Sequence, residues 1–351
     1  MQPEGLTDTA DIIWNTQLLS TDAAPVKPLG RKRQIERLHT CLAPMRNGET
    51  PLNVWLHGPP GSGKTTVARW VASQTCGSGT RVWIHVNCWQ HRTFYSVLQA
   101  VIDQLKILRA EAQDANLKLE RIRQAFRGRT ALIVLDEIDR PMPQDREEII
   151  YGLLGLPKTG LVCIANSLRA FAMLDERAKS RLSPVFVEAP AYSVSEIAEI
   201  LSERARLALA PHSWSRDFIR RIAEASAGDA RAAIQALRQA AAAAEELGRA
   251  KLEVRFIDDT LRRWQAIHQE ARLATLSEHE RIIYQLAVEH APVGTTQLRQ
   301  LYAAYCNRHH VQPMARRTFS SYLRRLSGGR LLTVMARSRG PGGAIVRPVS
   351  G

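Results

Sequence analysis

The chain has 351 residues, 45% of them hydrophobic and 23% charged. That is the balance of an ordinary folded protein with room for two or three domains, and no apolar run is long enough to cross a bilayer. The opening MQPEGLTDTADIIW has no basic stretch leading into an apolar one, and none of the five cysteines forms a C-x-x-C pair; the expectation is a cytoplasmic protein with reduced thiols and no membrane partner.

Residues 1–27 read as a loose arm in which Ile12, Ile13 and Trp14 pack against the domain that follows. Residues 28–190 alternate strand-like and helix-like segments, which predicts an α/β domain: a parallel sheet with helices on both faces. Within it, LNVWL reads as a buried strand and TTVARWVASQ as a helix. Between them Gly58-Pro59-Pro60-Gly61-Ser62-Gly63-Lys64-Thr65 fits G-x-x-x-x-G-K-[ST], the P-loop, with Thr66 next in the helix. Its glycines let backbone N–H groups converge on a β-phosphate, and the helix N-terminus adds positive potential. Lys64 is placed to reach the β- and γ-phosphates of ATP, or the β-phosphate of ADP, and Thr65 to hold Mg²⁺.

RTFYSVLQAVIDQLKIL carries apolar residues at 94, 97, 98, 101, 102, 105 and 108, the stripe of a core-packing helix. ALIVLDEID is a short apolar run ending in acids, a central strand whose C-terminal end lies where ligands bind in open α/β sheets. Asp136 is the candidate Mg²⁺ ligand through water, and Glu137 the candidate to orient or deprotonate an attacking water. A third strand, LVCIANS, ends at Asn166, a candidate to position that water. Residues 191–254 read as an all-helical lid, and FIDDTLRRWQAIHQEARL within 255–276 as a linker helix.

The C-terminal part carries most of the charge. From Arg262 onward there are fourteen arginines and no lysine against four glutamates, and from His290 onward ten arginines and no acid at all. A solvated surface mixes signs, so this stretch points to a polyanion. Ser277 and Glu280 form a capping box for one helix, TTQLRQLYAAYCNRH reads as a second, and PMARRTFSSYLRRLSGG as a third. At about 100° per residue, Arg316, Arg317, Ser320, Ser321, Arg324 and Arg325 share one side of that third helix, opposite Phe319, Tyr322, Leu323 and Leu326. LLTVMA and AIVRPV read as two strands with Arg337 and Arg339 at a Gly-rich tip. Three helices and a two-stranded wing describe a winged helix over 277–351, whose third helix enters the major groove of duplex DNA. The apolar faces alone fit a protein-binding winged helix equally well; the arginines favour DNA. Which arginine reads a base and which holds a phosphate stays open.

The P-loop, the LDEID strand and the IANS strand in this order resemble an AAA+ ATPase. LDERAKSRLSPVFVEAPAYSVSEIAEILSER, PLGRKRQIERL, HVNC and AGDARAAIQALRQA narrow the resemblance to the replication-initiator family: archaeal origin-recognition and cell-division-cycle type initiators, similar to subunit 1 of the origin recognition complex. It runs from about Pro28 to Pro348. The resemblance implies that Arg231 of GDAR touches the γ-phosphate from the lid, and that Tyr192 and Arg204 contact the nucleotide from the same side. It also implies that Arg181, or failing it Arg177, reaches a neighbouring copy's ATP; the alternative for each arginine is a surface salt bridge. Ser183 departs from the family's usual glycine.

The reading is an ATP-dependent DNA-binding initiator, a slow ATPase that binds origin duplex DNA, acts with copies of itself and supports loading of a replicative helicase. Two other classes stay open: an AAA+ regulator of a mobile element or plasmid, and an ATP- and DNA-binding switch with negligible hydrolysis.

Overall fold

The computed structural model describes residues 12–21, 27–76, 79–107, 114–253, 273, 276–328, 331–335 and 344–348. The chain divides into two compact units, Met1–Ile257 and Asp258–Gly351.

The first unit is built on five parallel strands: β1 (Val54–His57), β2 (Arg81–Asn87), β3 (Thr130–Asp136), β4 (Thr159–Ala165) and β5 (Val185–Glu188), in the order β2-β3-β4-β1-β5. β3 and β4 are buried along their whole length, because helices cover both faces. The two-residue period of a strand sorts their side chains. Val54, Leu56, Leu132, Val134, Val162 and Ile164 pack against α1 (Lys32–Leu42) and α2 (Lys64–Thr75). Trp55, Ile133, Leu135, Leu161 and Cys163 face α3 (Phe94–Leu105), α4 (Ala115–Ala125) and α5 (Pro143–Leu153). The stripe expected on α3 is buried at Phe94, Val97, Leu98, Val101 and Ile102 and half-buried at Leu105; position 108 lies outside the described residues. Two short helices, α6 (Arg169–Ala172) and α7 (Glu176–Leu182), lead into β5. Ser183 ends α7 in the left-handed region (φ 34°), the conformation glycine adopts without strain, so the turn persists with serine in it.

Three further helices follow: α8 (Val194–Ala208), α9 (Arg216–Ala225) and α10 (Ala230–Glu246). Each starts on a side-chain cap, Ser193 with Glu196 in a capping box, Ser215 and Asp229. The N-terminal segment departs from expectation. Ile12 and Leu19 are buried, but against these helices rather than the sheet domain, and Trp14 is 63% exposed. Backbone pairing explains it: Ile13 bridges to Leu209, the Trp14 N–H donates to Ala208 O, and the Ile13 N–H donates to Glu245 Oε1.

The second unit holds α11 (Glu278–Glu289), α12 (Thr295–Arg308) and α13 (Arg316–Gly328). β7 (Leu332–Met335) and β8 (Ile345–Pro348) pair antiparallel, as the sequence predicts. A third strand, β6 (Val293–Gly294), pairs with the other edge of β8; two residues are too short to leave a periodic signal. Phe319, Leu323 and Leu326 of α13 close a core with Ile283, Leu298 and Val346. Arg337, Arg339 and all of the expected linker helix save Leu273 and Leu276 lie outside the described residues. No helix among the described residues is long and apolar enough to cross a membrane.

Candidate functional site

Strand order decides what can meet. β4 lies between β1 and β3, so its C-terminal end stands between the loop that follows β1 and the acids that end β3. Asn166 makes the connection. Its Oδ1 accepts from Lys64 Nζ at 3.3 Å, while its Nδ2 and backbone N–H donate to Asp139 Oδ2 at 3.1 and 3.2 Å. Lys64 also donates to the carbonyls of Gly58 and Pro59, each at 2.8 Å. Burial lowers its ammonium pKa to about 8; Arg231 pushes the same way, and Asp136, Asp139 and Glu137 oppose it.

Asp136 is 5% exposed. Its Oδ1 accepts the Glu137 N–H at 3.0 Å, and its Oδ2 lies 3.1 Å from His85 Nε2. Glu137 itself sits at φ 55°, a left-handed conformation that costs a non-glycine residue on the order of 1–3 kcal/mol. The turn is held from both sides: Cys88 N–H donates to Asp136 O, and Ile138 N–H to Ile164 O. His85 and Asp139 are the polar residues that sequence reasoning missed here. The strand period puts His85 on the same face as Asn87, the register partner of Asp136, so the pairing of β2 with β3 was the signal needed. For Asp139 the LDEID motif offered none.

The phosphate loop is shaped by what lies behind it. Gly61 and Gly63 take φ 71° and 79°; a Cβ on Gly61 would strike the Asp229 carboxylate, and one on Gly63 the Tyr192 hydroxyl. Ser62 is buried, its hydroxyl without a hydrogen-bond partner among the described residues. The Ala230 N–H donates to Gly61 O at 3.1 Å, which sets the start of α10, and Arg231 with it, over the loop. The result is a cleft of about 690 Å³ lined by Pro60 through Thr66, Asp136, Glu137, Asn166, Tyr192, Arg204 and Arg231. Gly58 and Pro59 stay behind it, giving carbonyls to Lys64. Part of the Arg204 guanidinium is engaged elsewhere, donating to Leu18 O at 2.6 Å and Ser20 O at 3.2 Å. Arg181 is outside the cleft, exposed on α7, with its guanidinium 4.3 Å from the centroid of the Tyr151 ring. The hydroxyl of Thr65 and the carboxylate of Asp136 form an all-oxygen donor set suited to Mg²⁺.

One arginine that the motifs did not single out organises this region. Arg31 is 2% exposed. It donates to Ser62 O (2.9 Å), Gly30 O (3.0 Å) and Pro190 O (2.6 Å), covers the Tyr192 ring at 3.5 Å and approaches Glu196 at 3.8 Å. It thus ties the phosphate loop to the start of α8. Arg31→Ala leaves these carbonyls without donors and is expected to lower unfolding free energy by about 2–4 kcal/mol. Urea denaturation checks this; a loss below about 1 kcal/mol would reduce Arg31 to a surface-like residue.

In the second unit, α13 divides as its sequence predicts. Arg316, Arg317, Ser320, Arg324 and Arg325 are exposed and Ser321 is half-buried. Arg325 is partly committed, 3.3 Å from the buried Glu280 carboxylate and 5.6 Å from the Tyr322 ring centroid. Arg316, Arg317 and Arg324 form no ion pair among the described residues.

Comparison with known proteins agrees with the α/β fold. The AAA ATPase domain family matches residues 27–288. ORC1-type DNA replication protein 9 of Halobacterium salinarum is 29% identical over 335 residues, covering 93% of this chain and 92% of its own. Among solved structures, the Aeropyrum pernix ORC2 protein in ADPNP-ADP complexes superposes with a TM-score of 0.78 at 22% identity, covering 96% of this chain and 94% of that one. The Aeropyrum pernix ORC1 protein in complex with DNA gives 0.66 at 24% identity, covering 97% and 95%. The chain therefore belongs to the AAA ATPase domain family, in which it is similar to the archaeal ORC1-type DNA replication proteins.

Proposed function

We propose that the protein is an ATP-dependent, DNA-binding replication initiator that recognises origin duplex DNA, supports helicase loading and hydrolyses ATP slowly as a switch. The observation that carries the reading is Asn166, bonded at once to Lys64 and Asp139, with Arg231 over the same cleft. The names of its relatives, which include ORC1-type DNA replication proteins, an ORC1–DNA complex and an ORC2 bound to ADPNP and ADP, support the same ligands.

In this reading residues 28–190 are the ATPase base, 191–254 the lid, 255–276 a linker and 277–351 a winged helix. Backbone N–H groups of residues 61–66 cradle the phosphates, and Lys64 Nζ exchanges its carbonyl partners for β- and γ-phosphate oxygens. Thr65 and, through water, Asp136 would hold Mg²⁺, which would supply positive charge against the phosphates. Glu137 takes a proton from the attacking water, and Asn166, oriented by Asp139, holds that water in line. Arg231 follows the γ-phosphate from the lid, with Tyr192 and Arg204 beside it. Arg181 serves a neighbouring copy. ATP thus closes base on lid, and the winged helix grips duplex DNA through α13.

The DNA part is tested by Arg317→Ala and Arg324→Ala. Each is expected to cost about 1–3 kcal/mol where the side chain meets a base edge, with relaxed sequence preference. A phosphate contact instead lowers the slope of log K against log salt by about 0.9. Fluorescence anisotropy of a labelled duplex over a salt series reads both. Unchanged affinity and slope in both variants would place the DNA face elsewhere.

A further inference from the structure

A second basic recess lies at the N-terminal ends of the sheet strands, opposite the ends that carry the nucleotide cleft. It has a volume of about 190 Å³ and is bordered by Arg46, Arg81, Arg129, Lys158 and Thr130. Arg81 and Thr130 begin β2 and β3, and Lys158 directly precedes β4. Asp136 ends β3 six residues after Thr130, so at strand rise this recess is roughly 20 Å from the acids of the nucleotide cleft. No single nucleotide phosphate serves both.

The lining holds four cations and no carboxylate. Like charges converge at a cost unless an anion sits among them. Arg46, Arg129 and Lys158 are exposed and form no ion pair among the described residues. Lys158 donates one proton to Gly48 O at 2.9 Å, which anchors its ammonium at the rim and leaves two donors. Thr130 is 2% exposed, and its hydroxyl has no hydrogen-bond partner among the described residues. A buried hydroxyl without a partner is uncommon in a folded protein. A Cβ at Gly48 or Gly128 meets nothing within 4 Å, so the recess is open towards both turns.

We propose that this recess binds a phosphate group, supplied by the backbone of a nucleic acid. Guanidinium forks and an ammonium suit phosphate oxygens. The open rim favours a backbone phosphate, most of whose chain stays in solvent, over an enclosed small metabolite. The nucleic-acid source rests on the DNA-binding reading above; the phosphate chemistry does not.

The test is the double variant Arg129→Gln/Lys158→Gln in the full chain, loaded with ADP and Mg²⁺ so that the P-loop is filled. Both positions are exposed, and thermal melting confirms the fold. Binding of a fluorescent ADP analogue is expected to match wild type. With labelled duplex DNA, the slope of log K against log salt is expected to fall by about 0.9 for each phosphate that the variant no longer neutralises. Inorganic pyrophosphate is added to both proteins in parallel, with melting temperature as readout. A lost pyrophosphate response with an unchanged DNA slope overturns the nucleic-acid source and keeps the phosphate site. No difference in either arm overturns the site. Should wild type not bind duplex at all, the DNA reading fails, and the pyrophosphate arm still decides the recess.

Discussion

Glu137→Gln is expected to bind ATP with wild-type affinity and to hydrolyse it at least about a hundredfold more slowly. The amide has the size and hydrogen-bonding reach of the carboxylate, so the cleft keeps its shape. The backbone at this position is set by bonds the substitution leaves alone: the Glu137 N–H to Asp136 Oδ1, and the neighbouring Cys88 and Ile138 N–H groups to the strand carbonyls. The left-handed turn at φ 55° therefore survives in the variant. What disappears is the ability to accept a proton from water. Three surrounding bonds hold the strained backbone, so the glutamine leaves the chain from the same point as the glutamate. Single-turnover hydrolysis with a parallel nucleotide-binding titration separates chemistry from affinity. Hydrolysis at the wild-type rate would remove Glu137 from the mechanism and turn attention to Asp139, the third acid of the motif, whose Oδ2 holds Asn166.

The contrast between Glu137 and Arg31 shows what a sequence can carry. Lys64, Asp136 and Asn166 end or follow strands at motif spacings, and parallel strands in this order bring such ends together. Their convergence was therefore legible from the pattern of short apolar runs. The same holds for α13, where a helical period separates Phe319, Leu323 and Leu326 from the arginines. Arg31 stands in GRKRQIERL among residues that read as an exposed helix start. Its importance comes from carbonyls 31 and 159 positions away, at Ser62 and Pro190. Such pairings depend on how the helices close over the loop, and no local period encodes that. The N-terminal segment was misplaced for the same reason. Ile12 and Ile13 announce burial, but only the bridge of Ile13 to Leu209 says against which surface. His85 falls between these cases, since its approach to Asp136 follows once β2 is known to neighbour β3.

The final expectation concerns Arg181. The structure places it on α7, outside the protein's own nucleotide cleft and exposed. A surface salt bridge within the subunit was the competing account. Glu176 instead pairs with Lys179 at 2.8 Å, and Arg181 rests on the Tyr151 ring. Stacking on an aromatic face orients a guanidinium without neutralising it, so its full charge stays available to an outside anion. If that anion is the γ-phosphate in a neighbouring copy, the ATPase rate per subunit should rise with protein concentration, and more steeply when long duplex DNA gathers copies together. An arginine supplied in trans is worth about 10³–10⁵ in rate where it stabilises transferring phosphoryl charge. Arg181→Ala should abolish the rise and leave ATP affinity intact, because Lys64 and Arg231 belong to the subunit that binds the nucleotide. Tyr151→Ala separates stacking from charge: it frees the side chain without removing it, so part of the rise should remain. A rate per subunit that stays flat from nanomolar to high micromolar protein, with and without long DNA, would make the protein a monomeric ATP switch. Arg181 would then be a stacked surface residue whose removal changes stability by no more than about 1 kcal/mol.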